Sequence, residues 1–573
     1  MKLKLAILLY LILAFYIWTA TYGKDSFYLE NNHGGYYNLL TDAFLIGKLH
    51  LLEEPRQELL DSSNPYDSSF NGPYRLHDAS LYKGKYYLYF GATPALVVYI
   101  PYRIFTKLGI PDNLVVLLFC FGTLFWSTLF LMYLHKNYFS SVPQWMLLLV
   151  VSSVAFGNVS PYLLRRPFMY EVAISCGIFF LTGAIYLLCS SCLHSHKSNF
   201  NLFKICLGST FLGLAAGGRP QISLTGFVIV VLLLIYTIRD TQYTIQLKKA
   251  TILCLAIPFI SCLISIFLYN YLRFDNPFEF GIKYVLMDHH YLGYKNWDLK
   301  FFPAQLFLFL FREPEFNSMF PFVHLSRVLP PTLQPSVLFW LERNTGLLYA
   351  TPFVLILFLS PFIYWLNSIF NCKVLCSKNK IIQNSILITL AIPLVLNIIL
   401  LLLRSFSLDT PIEILEKLQQ SVPVYIYAGL ILLSQIIVWL IKVTKNCGTQ
   451  CQFNIKFPYV EFIILLFCGI IHLLVVLFGS LSTFRYVADF SIFFILLAGI
   501  VWFFFDLLLV NNKPAKIFLR SIGTVLALGT IWCGFALSIF GCYEGLKVGN
   551  PEQFYKLEAL FSPVSIFISS LLN

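Results

Sequence analysis

Residues 487–508 read VADFSIFFILLAGIVWFFFDLL, with no charged residue between Asp489 and Asp506. At about 1.5 Å per residue such a helix covers the roughly 30 Å of a bilayer's hydrocarbon core. The run is apolar on every side, as a membrane span is. A transmembrane β-strand would alternate apolar and polar residues over a shorter stretch, which excludes a β-barrel. Comparable runs recur at 5–20, 112–134, 144–158, 171–190, 204–217, 221–238, 250–271, 346–367, 381–403, 423–442, 459–480 and 518–541. The expected architecture is an all-α polytopic membrane bundle. Composition agrees: 58% of the 573 residues are hydrophobic and 12% charged, against about 25% charged in soluble domains, and mean hydropathy is +0.74.

Lysine and arginine orient the bundle. Lys2 and Lys4 precede the first run, and later basic loops hold Lys197/Lys204, Arg239/Lys248/Lys249, Lys373/Lys378/Lys380, Lys442/Lys445/Lys456 and Lys513/Lys516/Arg520. Placing all of them in the cytoplasm satisfies the positive-inside rule and the alternation of the later helices together. The N-terminus is then cytoplasmic, and the first hydrophobic run is expected to be a retained helix, because no small-residue cleavage site follows it. The net charge of +12 is a topology signal. Its spread over many short loops speaks against a nucleic-acid partner.

This gives six regions: a first helix over 1–20, an extracytoplasmic loop over 21–88, a first half of the bundle over 89–271, a second extracytoplasmic loop over 272–345, a second half over 346–541 and an extracytoplasmic segment over 542–573. Residues 89–110 are apolar, yet a crossing there would reverse every later helix. Pro94, Pro101, Arg103 and Lys107 favour a re-entrant or interfacial segment. Of the 14 cysteines, Cys542 alone falls in an expected outer loop. Cys372/Cys376 and Cys447/Cys451 lack further ligands at zinc spacing, so a reduced, structural role is expected.

The polar residues gather on the outer side. The first loop holds Glu30, Asp42, Asp61, Asp67 and Asp78 among Tyr36, Tyr37, Tyr66, Tyr74, Tyr86 and Tyr87, a surface suited to a polar molecule. Arginines lie in Leu164-Arg165-Arg166-Pro167, Gly217-Gly218-Arg219-Pro220-Gln221, Leu272-Arg273-Phe274-Asp275 and Thr483-Phe484-Arg485-Tyr486. A single arginine there would snorkel to headgroups. Several on one face point to an anionic ligand, with phosphate the best match for a guanidinium. Glu171 opens the next helix, where the helix dipole or an arginine would hold it. Asp288-His289-His290 is a poor metal site, because adjacent histidines cannot share a helical face. No phosphate-binding glycine loop for a nucleotide occurs.

These features together resemble the GT-C superfamily of membrane glycosyltransferases, which includes protein O-mannosyltransferases and the aminoarabinose transferase acting on lipid A. The stretch Tyr36–Leu49 is similar to that family's juxtamembrane helix with its glycine exit. Lys83–Tyr87 followed by Ala92–Leu96 resembles its re-entering segment, and Asn270–Gly281 resembles the exit into its second outer loop. The resemblance implies a GT-C-like bundle of about 11–13 transmembrane helices. It implies transfer of a sugar from a polyprenyl-phosphate donor, with inversion, to an envelope glycan, lipid or protein acceptor on the extracytoplasmic face. Such a reaction needs one carboxylate as base and cations for the departing phosphate. Asp78, Asp42 and Glu30 are the candidate bases. Arg165, Arg166, Arg219, Arg485 and Lys85 are the candidate phosphate ligands, with Glu171, Tyr86 and Tyr37 as further site residues and no cofactor expected. The chain departs from the family ahead of the juxtamembrane helix, where Asn31-Asn32-His33-Gly34-Gly35 stands in place of the usual acidic residue. Lys-, Asn- and Ile-rich usage and short outer regions fit a bacterial inner membrane. Two other classes remain open: a flippase or transporter of lipid-linked sugar, and an inactive GT-C-like assembly protein. Carriers place charges near the bilayer midplane and show paired broken helices, neither of which is evident here.

Overall fold

The computed structural model describes residues 2–24, 27, 35–193, 199–239, 244–287, 297–326, 340–359, 457–541 and 545–572. Glu30, Asn31–Gly34, Asp288–His290, Cys372, Cys376, Cys447, Cys451, Cys542 and the expected helices at 381–403 and 423–442 lie outside the described residues.

The apolar runs fold as helices. The first, α1 (Lys2–Ala20), ends one residue before the polar loop. In that loop α2 (Tyr36–Leu45) buries Tyr37, Leu40 and Ala43 along one face. Gly47, at φ +74°, takes the chain out of the helix in the left-handed region, the expected glycine exit. Two single-turn helices follow, α3 (Gln57–Leu60) and α4 (Ser68–Asn71). Then β1 (Ser80–Tyr82) and β2 (Lys85–Tyr87) form an antiparallel hairpin. Its two-residue turn, Lys83-Gly84, has positive φ at both positions, the geometry that matches strand twist.

Residues 95–106 form a π-helical turn (Ala95–Tyr99) continued by α5 (Ile100–Thr106). At about 1.5 Å per residue this element is too short to cross a bilayer. It leaves Leu96, Ile104 and Phe105 exposed, as an interfacial segment does.

The bundle proper comprises α6 (Asp112–Asn137), α7 (Gln144–Gly157), the short α8 (Ser160–Arg165), α9 (Met169–Cys192), α10 (Asn199–Gly218), α11 (Ile222–Arg239) and α12 (Ile245–Phe274). After α12 come α13 (Phe302–Leu306), the small antiparallel pair β3 (Glu315–Phe316) and β4 (Val323–His324), β5 (Trp340–Leu341) and α14 (Leu347–Ala350). The run expected at 346–367 opens irregularly, with α14 followed by a 3-10 turn at Pro352–Leu355. The last elements are α15 (Tyr459–Leu477), β6 (Leu481–Ser482), α16 (Ala488–Leu508), α17 (Lys513–Phe540), α18 (Gly545–Gly549) and α19 (Pro551–Leu572).

Among the described residues nine helices are long and apolar enough to cross a membrane, so this is a multi-pass membrane protein. The spans containing α9 and α16 are the innermost, each 89% buried, whereas 17% of α12 is buried. Close packing at one end rests on glycine. A Cβ added at Gly91 would lie 1.7 Å from the Gly217 carbonyl oxygen. The chain entering the π-helical turn therefore lies against the last turn of α10, next to Arg219.

Candidate functional site

Four chain segments meet at this end of the bundle: the start of α9, the α10–α11 turn, the residue after β5, and the 3-10 turn Phe484–Val487 that leads into α16. Parallel pairing of β5 with β6 brings two of them together. The Glu342 amide continues the ladder, donating to the Ser482 carbonyl at 2.9 Å. Three residues past Ser482, Arg485 is thereby set beside Glu342.

Arg485 is buried, its guanidinium stacked 4.2 Å from the Tyr170 ring centroid. Its Nη1 lies 3.7 Å from Glu171 Oε1 and 3.8 Å from Glu342 Oε1. Those separations attract electrostatically but exceed hydrogen-bond length. Arg166 Nη1 approaches the same Glu342 carboxylate at 3.2 and 3.3 Å. Glu171 sits at the third position of α9, where its Oε2 accepts from the Phe168 amide at 3.2 Å. Three of the arginine and carboxylate candidates, Arg166, Glu171 and Arg485, thus share one cluster.

Arg219 joins them from the next turn. Its Nη2 pairs with Asp489 Oδ2, which also accepts from Gln221 Nε2 at 3.0 Å. The Tyr486 ring stands between the two guanidiniums, 5.6 Å from that of Arg219 and 5.9 Å from that of Arg485. Tyr170 extends the patch to Phe90, ring centroids 5.5 Å apart. Three buried donors, Arg219 Nε, Arg485 Nε and Arg485 Nη1, have no hydrogen-bond partner among the described residues. Buried donors in native proteins are nearly always satisfied, by protein, water or a ligand.

Other candidates lie elsewhere. Arg165 is nine-tenths buried but turned away: Nε donates to the Ser538 carbonyl at 2.6 Å and Nη1 to the Thr19 carbonyl at 2.8 Å, beneath Trp18 and Tyr22. It ties α1, α8 and α17 together. Arg273 likewise anchors the hairpin, donating to the Leu88 carbonyl at 2.6 Å. Asp42 pairs with Arg103 at 3.0 Å. Lys85 is exposed at the start of β2.

Asp78 is buried at φ +58°, a conformation aspartate tolerates. Its amide donates to the Leu286 carbonyl at 2.8 Å, tying the hairpin to the second loop. Tyr36 donates to the His77 carbonyl, and its hydroxyl is pushed up by burial first and then by Asp78. The Tyr86 hydroxyl accepts from the Leu76 amide at 3.1 Å. Tyr37 stacks on Tyr99, centroids 5.4 Å apart. On the hairpin's outer side Lys83 meets Asp275 at 2.6 Å, and that contact, with Tyr82, holds the Asp275 carboxyl below its usual range.

Glu342, Asp489 and Tyr170 were not foreseen. Asp489 could have been found, since it stands four residues after Arg485 at the mouth of an otherwise uncharged span. Glu342 carries no local signal, because its partners come from the β5–β6 pairing. No known family model matches the chain, nor does any curated protein or solved structure.

Proposed function

We propose that the protein is a membrane glycosyltransferase that moves a sugar from a polyprenyl-phosphate donor to an envelope glycan, lipid or protein acceptor. In this reading the arginine cluster faces the extracytoplasmic side of a bacterial inner membrane, and the N-terminus is cytoplasmic. The observation that carries it is the set of unmade buried guanidinium donors on Arg219 and Arg485. Direct closure of Arg485 Nη1 onto Glu171 would still leave both Nε–H groups without an acceptor. A phosphate supplies several anionic acceptors at once.

Arg166, Arg219 and Arg485 are matched by Glu342, Asp489 and Glu171, so the cluster's own charges nearly balance. Its cations are preorganised rather than free. Charge developing on a departing phosphate would meet fixed dipoles and guanidiniums, with no reorganisation required. The acceptor approaches from the side of the first loop and must give its proton to a carboxylate; Asp78, Asp42 and Glu30 are the candidates that the loop itself offers.

The test is transfer of labelled sugar from polyprenyl-phosphate donors to membrane glycans, lipids and proteins. Arg485→Ala should lower transfer by two orders of magnitude or more (about 10²–10³ for one oxyanion-type donor), and Arg219→Ala should do likewise, compared at equal amounts of folded protein. Absence of transfer from every donor with the native protein would move the assignment to a lipid-sugar flippase or an inactive assembly protein.

A further inference from the structure

We infer that Asp112, at the first position of α6, is the general base of the proposed transfer. This rests on the glycosyltransferase reading and goes beyond it, because no candidate from the first loop is involved. The spatial observation is at Gly35, the residue that caps α2. A Cβ built there would lie 2.2 Å from Asp112 Oδ2 and 3.0 Å from its Cγ. The Asp112 carboxylate therefore occupies the space that a side chain just ahead of α2 would fill.

The surroundings fit a base. Tyr99 donates to Asp112 Oδ1 at 2.5 Å, which orients the carboxylate. Asp112 stands in the first turn of α6, beside the positive end of the helix dipole. Asp112 is only partly buried. Tyr37 links it to the phosphate cluster. Its ring stacks on Tyr99, and its hydroxyl donates to the Gly91 carbonyl at 3.3 Å, in the segment packed against Gly217. The same hydroxyl is pushed well above its usual range by burial first, with Asp112 adding to that rise and Arg219 opposing it. Asp112 and the Arg219 guanidinium, whose Nε has no partner among the described residues, thus both act on Tyr37. By contrast Asp42 is engaged by Arg103, and Asp78 is buried behind the hairpin.

The step balances without a co-reactant. The acceptor hydroxyl gives its proton to Asp112, and its oxygen forms the new bond to the anomeric carbon. The bond from that carbon to the donor's phosphate oxygen breaks, and its electron pair leaves with the phosphate, beside Arg219 and Arg485.

The experiment measures sugar transfer from a polyprenyl-phosphate donor by the full-length protein, with melting temperature read in parallel. Asp112→Asn keeps the Tyr99 hydrogen bond and should lower kcat by about 10²-fold or more, with donor KM little changed. Because a helix-capping role would also suffer on substitution, a second pair of variants decides. Asp112→Ala should be inactive, and adding Gly35→Asp should restore part of the transfer. Gly35 has φ −64° and ψ 176°, which any residue adopts, so the new side chain enters the vacated space without backbone strain. Native-level kcat in Asp112→Asn, or no recovery in the double variant at normal melting temperature, overturns the assignment while leaving the transferase reading intact. Failure of the native protein to transfer from any donor removes both.

Discussion

Arg219, past the end of α10, closes an ion pair with Asp489, 270 residues later in the first turn of α16, and both side chains are buried. Removing one member leaves an uncompensated charge in a low-dielectric site, a loss of about 3–5 kcal/mol. Replacing both with apolar residues removes that penalty. Arg219→Met and Asp489→Leu should each lower the melting temperature sharply, and the double variant should recover most of it. Transfer should stay lost in Arg219→Met and in the double variant, since neither retains the guanidinium. Thermal unfolding in detergent, paired with the transfer assay, separates the two effects. Recovery of transfer along with stability would make the pair purely structural.

Arg165 and Arg166 are neighbours with separate expected phenotypes. Arg165 gives two charge-assisted hydrogen bonds to backbone carbonyls, each worth about 1.5–3 kcal/mol. Arg165→Ala should therefore cost stability, with transfer falling only in proportion to folded protein. Arg166 pairs with Glu342, which Arg485 also faces, so Arg166→Ala should lower the melting temperature less than Arg165→Ala does and raise the donor KM. Titrating donor against each purified variant distinguishes them. The same phenotype from both would dissolve the distinction.

The difference between those two arginines marks the limit of what could be read before the fold. Lipid demands uninterrupted apolar runs, so the long helices from α1 to α17 are legible in order, as is the glycine exit after α2. The clustering of Arg166, Glu171, Arg219 and Arg485 at one end follows from the same alternation of helices. Side-chain direction does not. Arg165 is the last residue of α8, and Arg166, at φ −134° and ψ 71°, has already left the helix, so the pair diverges by a backbone turn that no periodicity encodes. Glu342 reaches Arg485 through a two-residue parallel pairing, too short for a strand pattern to announce. Asp112 reads locally as a favourable acid at a helix start, and only its position beside Gly35 gives it a second meaning.

The approach of Gly91 to Gly217 gives a last expectation, on the segment that enters the π-helical turn. A methyl group at Gly91 would collide with the Gly217 carbonyl, a backbone atom that cannot rotate away. Overpacking of this kind typically costs about 1–3 kcal/mol. Gly91→Ala should thus push residues 89–95 off α10 and loosen the Phe90–Tyr170 contact beneath Arg485. The Tyr37 hydroxyl would lose its acceptor at the Gly91 carbonyl in the same movement. Transfer should fall more steeply than the melting temperature, because the displaced segment joins the first loop to the arginine cluster. Protease cleavage within residues 89–95, compared with the native protein, reports the displacement directly. Unchanged cleavage together with native transfer would show that the segment yields elsewhere and that its close packing is not needed for the site.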